Sequence, residues 1–215
     1  MNPDYERASV CAAEMLVRYN ICTAPIDPVP VYKKTEGVLL VPFADVSQNI
    51  GVPRNDITSV FHDAVTVARP EGEHLSYLVS YNQRLPMDSV QRLLARELGH
   101  IILGHDGTRP ESIRMEEAYA FALHFLFPRP LIHAIQQSGF PLTEEALFSM
   151  TGCDARCLER MRKIPAVSVP AFLNHKIREQ FTDYISNFLE YEEHLCKTDK
   201  SAPADIGTYM DGYEE

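Results

Sequence analysis

The strongest constraint on the fold lies between residues 86 and 105, where a polar and an apolar face alternate at helical spacing. At 100° per residue, Arg96, Glu97 and His100 fall within an arc of about 100°. Val90, Leu94, Leu98, Ile101 and Ile102 take the opposite side. Pro86 and Asp88-Ser89 supply a start and Gly104 a stop, which predicts a helix over about 89–103. Three polar groups thus share one face while the other buries an ordinary apolar stripe.

A second helix is predicted over about 113–127, ending before Pro128-Arg129-Pro130. Its segment Glu117-Ala118-Tyr119-Ala120-Phe121-Ala122 starts 17 residues after His100 (117 − 100). Two ligands at i and i+4 on one helix reach a single metal ion, and a Glu after the first ligand activates the bound water. A glutamate from a neighbouring helix completes many such three-ligand sites and leaves the fourth position for water. Here only the second half of the helix motif is present. Arg96 stands where a first histidine would, and a guanidinium stays protonated and offers no lone pair to a metal. Taken alone, Glu-x-x-His is a weak signal.

The stretch Leu94-Ala95-Arg96-Glu97-Leu98-Gly99-His100-Ile101-Ile102-Leu103-Gly104-His105 resembles the helix of ImmA/IrrE-family zinc metallopeptidases, which reads A-H-E-L-G-H and continues to L-G-H. Tyr77-Leu78-Val79-Ser80-Tyr81-Asn82 is similar to the family's preceding strand. Glu117 to Pro128 is similar to its E-A-N-x-F-A-x-x-L-L-M-P segment. The resemblance covers roughly residues 5 to 130, and Ala146 to Met161 resembles the helical tail of phage-associated members. It implies His100 as second zinc ligand, Glu117 as third and Glu97 as general base. It also implies cytoplasmic regulatory proteolysis, often of a helix-turn-helix repressor. Two positions depart from the pattern: Arg96 for His, and Tyr119 where the family has Asn.

Arg96 leaves two readings. In one, the zinc centre is degenerate, and Arg96 pairs with Glu117 or Glu97 in a charge-assisted bridge that replaces the metal. Carboxylates facing each other without a cation are costly to bury. The protein would then bind a partner, such as a repressor, in the former substrate groove. In the other, zinc is retained with an altered ligand set, and Glu97, His100 and Glu117 still serve an active metalloendopeptidase. His105, just past the helix, and His124, seven residues after Glu117, are accessory candidates; His105 also stands beside intact motifs in the family. A third, lower reading is a non-catalytic scaffold or toxin–antitoxin-type component. The cofactor is accordingly zinc, or none.

The predicted fold class is α+β: a zincin-like core of helices with a small mixed or antiparallel sheet, then a helical C-terminal lobe. A helix is expected over 4–20, an extended passage at Pro25, Pro28 and Pro30, and strands at 38–41, 60–61, 64–67 and 77–81. Two short helices are expected around Thr151-Gly152 and one longer helix over 171–196. The expected domains are 1–130, a metallopeptidase-like domain; 131–197, the helical lobe; and 198–215, an acidic and mobile tail. Phe121, Phe125, Phe127, Phe148, Phe172, Phe181 and Phe188 recur at helical spacings and are assigned to the core.

Composition narrows the function classes. Thirty acidic against 20 basic residues give a formal net charge of −10, which opposes sequence-independent binding to nucleic acid. The basic run Arg156, Arg160, Arg162 and Lys163 reads as a solvated helix face. No signal-peptide pattern and no membrane-spanning apolar run are present. Five scattered cysteines, an odd number, point to a reduced, cytoplasmic setting. Cys153 and Cys157 are read as packing thiols.

Overall fold

The computed structural model describes residues 2–198 apart from 72, 73, 153, 162 and 166. In chain order come α1 (Tyr5–Arg18), α2 (Val29–Lys34), β1 (Val38–Pro42), α3 (Phe43–Ile50), α4 (Arg54–Phe61), β2 (Ala64–Glu71) and β3 (His74–Tyr81). They are followed by α5 (Met87–Ile102), α6 (Glu111–Leu126), α7 (Arg129–Gln137), α8 (Glu144–Thr151), α9 (Ala155–Met161), α10 (Ala171–Gln180) and α11 (Thr182–Thr198). The fold is α+β. It divides into two units, Asp27–Ala122 on the one hand and Asn2–Ile26 with the chain from Leu123 onward on the other. The division falls within α6, and the N-terminal helix belongs with the C-terminal ones.

In the first unit the sheet order is β1-β3-β2, with β1 parallel and β2 antiparallel to β3. Leu40, Val79 and Thr66 stand side by side across the three strands. Val79 is fully buried, and α5 packs on β2 and β3. One position along, Leu39, Leu78 and Val67 form the next row, and side-chain alternation turns them to the other face, where they are exposed.

The segment before β2 differs from its predicted form. Val60-Phe61, expected in a strand, ends the helix α4. Pro53 sits just before that helix and Asp56 lies in its first turn, and the helix buries Ile57 while Val60 and Phe61 stay exposed. Helix-start chemistry outweighs the β-branched composition here. Likewise the proline-rich passage contains α2. Pro28 precedes it and Pro30 lies in its first turn, where a missing N–H costs nothing.

In the second unit α1 packs on α10, and α7 on α10 and α11. Ala8, Ala12 and Leu16 of α1, Leu131, Ile132 and Ile135 of α7, and Leu173 and Ile177 of α10 are all buried. Gln180 donates to Asn20 Oδ1 at 2.9 Å. The long helix expected over 171–196 is two helices that break at buried Phe181. Thr182 turns its hydroxyl back to the Arg178 carbonyl there, and the Phe181 ring meets Tyr184 edge-on at 6.1 Å. Phe148 and Phe172, assigned to the core from their spacing, are 47% and 64% exposed. Helical periodicity finds a face without saying which face is covered. Cys157 is buried; Cys153 and the tail after residue 198 lie outside the described residues. Among the described residues no helix is long and apolar enough to cross a membrane.

Candidate functional site

Three attachments set the orientation of α5. Its buried stripe of Val90, Leu93, Leu94 and Leu98 faces the core. Tyr32 of α2 donates its hydroxyl to the Leu94 carbonyl at 2.8 Å, both residues being buried. Gly99 admits α6. A Cβ built there would lie 3.1 Å from the Ala118 carbonyl oxygen, 3.2 Å from Ala118 Cα and 3.0 Å from Phe121 Cδ1. The glycine thus permits the close crossing that brings Glu117 toward His100. Beyond the helix, Gly104 takes φ +64°, and His105 N–H bonds the His100 carbonyl at 3.0 Å.

Five of the six residues singled out in the sequence, Arg96, Glu97, His100, His105 and Glu117, lie at this end of the α5–α6 pair. Arg96 Nη2 donates to Glu97 Oε1 at 3.0 Å, and Thr66 of β2 donates its hydroxyl to Glu97 Oε2 at 2.7 Å. Of the two partners foreseen for Arg96, the pair is therefore with Glu97. His100 Nδ1 faces His105 Nδ1 at 2.8 Å, and His105 Nε2 reaches Glu117 Oε2 at 3.0 Å. Glu117, almost wholly buried, is also held by Arg109, whose Nη1 lies 2.8 Å from Oε1 and 2.9 Å from Oε2. His124, on the last turn of α6, belongs to the second unit.

The electrostatics follow from that arrangement. Burial above all lowers the His100 pKa to about 4; Glu97 opposes this, while His105, Arg96 and Arg114 add to it. Burial also lowers His105, against the hydrogen bond and charge of Glu117 and with help from Arg114 and Arg109. Two neutral imidazoles then order their protons in one direction. If His105 gives its Nε2–H to Glu117, its Nδ1 accepts from His100 Nδ1–H, and the lone pair of His100 remains on Nε2.

The residues do not fit the family's three-ligand zinc site. Arg96 has no lone pair to give. Both oxygens of Glu117 are engaged by Arg109 and His105, and His100 turns one nitrogen to His105. Among the described residues no group of three or more His, Cys, Asp or Glu is placed to hold a metal ion. Three participants escape a reading of the sequence: Thr66, Tyr32 and Arg109. Each is a single polar residue in an unrelated element, and only the tertiary fold brings it here.

Residues 56–151 match the family described as Peptidase_M78, IrrE N-terminal-like domain. The matched stretch runs from α4 through α8 and so includes β2, β3, α5 and α6, which carry the site. No curated protein and no solved structure matches the chain.

Proposed function

We propose that this is a regulatory protein on the ImmA/IrrE metallopeptidase fold whose zinc centre has been replaced by an internal network of ion pairs and hydrogen bonds. It acts by binding a segment of a partner protein, such as a helix-turn-helix repressor, in the former substrate groove, and works in the cytoplasm. The observation that carries the reading is the Arg96–Glu97 pair at 3.0 Å. It joins the first-ligand position to the general-base position and leaves Glu97 committed to Arg96 and Thr66. Each of its two oxygens thereby accepts a hydrogen bond from a protein donor. Where a divalent cation would neutralise buried carboxylates, Arg96 and Arg109 do so instead.

A second reading rests on the hydrogen-bonded run His100–His105–Glu117. Here His105 takes the missing ligand's place and Glu97 remains the base of an active metalloendopeptidase. Elemental analysis separates the two. The purified protein is expected to hold well under one zinc per chain after mild dialysis, and Arg96→His to raise occupancy. Stoichiometric zinc in the wild-type protein, lost together with protease activity on chelation, refutes the replaced-centre reading and supports the second.

A further inference from the structure

Once the two glutamates have been paired, a cation is left over. Glu97 is matched by Arg96 and Thr66, and Glu117 by Arg109 and His105. Arg114 lies on α6 three residues before Glu117, hence on the same face, about 60° away. Among the described residues its one hydrogen bond runs from Nε to the Arg109 carbonyl at 3.1 Å. A guanidinium carries five N–H donors, so the outer fork of Arg114 is unused. Arg109 engages Glu117 through Nη1 alone. Arg96 bonds Glu97 through Nη2, and its Nε is shielded from solvent without a partner. All three arginines are partly exposed, Arg96 by 28% and Arg109 by 27%, although the Arg96 Nε itself is shielded.

The charges nearby can be named. Arg96, Arg109 and Arg114 supply three positive charges close to Glu97 and Glu117. Asp106 stands at the rim, fully exposed, and spends its Oδ1 on Thr108 N–H and hydroxyl at 2.9 and 2.7 Å. Asp106 at the rim also feels the Arg114 charge, in a chain whose formal net charge is −10.

We propose that this end of the α5–α6 pair is a receptor for a single carboxylate of a partner protein segment, taken by the outer fork of Arg114 and the spare donors of Arg96 and Arg109. This rests on the proposed binding role and names the chemistry of the partner. A planar carboxylate meets a guanidinium fork with two parallel hydrogen bonds. It brings one negative charge close to the two buried glutamates, where a phosphate dianion would bring two. An acidic side chain and a chain terminus both present this group.

The test uses the full-length protein and follows the Arg114 Nε–Hε signal by NMR as peptides are added. The probes are an amidated alanine peptide with one central glutamate, its glutamine counterpart, and an all-alanine peptide with a free or an amidated C-terminus. A carboxylate-bearing peptide is expected to bind about tenfold more tightly than its neutral counterpart, with affinity falling as salt rises. The arm that shows the preference identifies side chain or terminus. Arg114→Gln is expected to remove most of it. Equal affinity for charged and neutral peptides, no binding by any of them, or stronger competition from inorganic phosphate than from the carboxylate peptide overturns the proposal, and the wild-type comparison decides it whether or not the variant folds. Zinc is measured on the same sample. Stoichiometric zinc refutes the replaced centre, while zinc-free protein without carboxylate preference refutes only the receptor.

Discussion

Acidification should destabilise this protein well above the pH at which its carboxylates titrate, and the magnitude follows from one buried and one half-buried histidine. His124 has its pKa lowered from 6.5 to about 3, first by burial and then by the Arg129 charge. The folded chain therefore leaves this imidazole neutral where the unfolded chain protonates it. For a base whose folded pKa is depressed, the stabilisation is complete above the unfolded value and is lost as pH falls below 6.5 toward the folded value. At pH 5 the unfolded chain has gained about 1.5 pKa units of proton binding that the folded chain has not. At 1.36 kcal/mol per unit this is about 2 kcal/mol. His100, lowered to about 4 mainly by burial, acts in the same direction; being only partly buried, it adds at most a similar amount. Its geometry agrees, because two Nδ1 atoms 2.8 Å apart cannot both carry protons. Asp106, whose pKa lies below 3.8, titrates outside this window. Urea unfolding followed by circular dichroism at pH 8, 6.5 and 5 should show a loss of about 2 to 4 kcal/mol, a large share of a typical 5–15 kcal/mol. In His124→Gln the fall between pH 8 and 5 should shrink by about 2 kcal/mol, whatever the variant's absolute stability. A wild-type fall below about 1 kcal/mol, or an unchanged fall in the variant, would refute the reasoning.

Two further predictions concern how α5 is held. Gly99→Ala gains about 1 kcal/mol in helix propensity, but its Cβ meets Ala118 backbone at 3.1–3.2 Å, and overpacking costs about 1–3 kcal/mol. A net loss of about 1 kcal/mol, seen as a melting temperature lower by about 2–4 °C, is expected in calorimetry, and a rise would show that α6 yields easily. Tyr32→Phe deletes the buried 2.8 Å bond to the Leu94 carbonyl and should cost about 1 kcal/mol by urea unfolding; an unchanged midpoint would mean that this bond does not hold α2 to α5.

What could be read in the sequence was local and periodic. The limits of α1, α5 and α6 were recoverable because start or stop residues flank them: Asp4 before α1, Pro86 and Gly104 on either side of α5, and Pro128 after α6. The region before β2 was not, because short helices such as α3 and α4 carry too few turns for periodicity to oppose their β-branched content. The residues of the site were legible for the same reason as α5 itself: Arg96, Glu97 and His100 share a face, and Glu117 follows at a recognisable interval. Their pairing was not. Whether Arg96 turns to Glu97 or to Glu117 depends on Thr66 arriving from β2 and Arg109 from the α5–α6 connection, and no spacing rule links those positions.

On the proposed reading, that dependence bears on how a former metal site would tolerate an arginine. Replacing one ligand of a metal site ordinarily strands the remaining carboxylates, at a cost of several kcal/mol for each uncompensated buried charge. Here Glu117 is almost wholly buried and still finds two partners, neither of them Arg96. Arg96 therefore solves only half of the problem, and Arg109 with His105 solves the other half. Arg96→His alone restores the imidazole at the first position but leaves Arg109 on Glu117, so zinc should enter that variant weakly. Arg96→His with Arg109→Ala frees both positions and should bind zinc more tightly than either single change, a coupling that a double-mutant cycle reads directly as non-additive affinity.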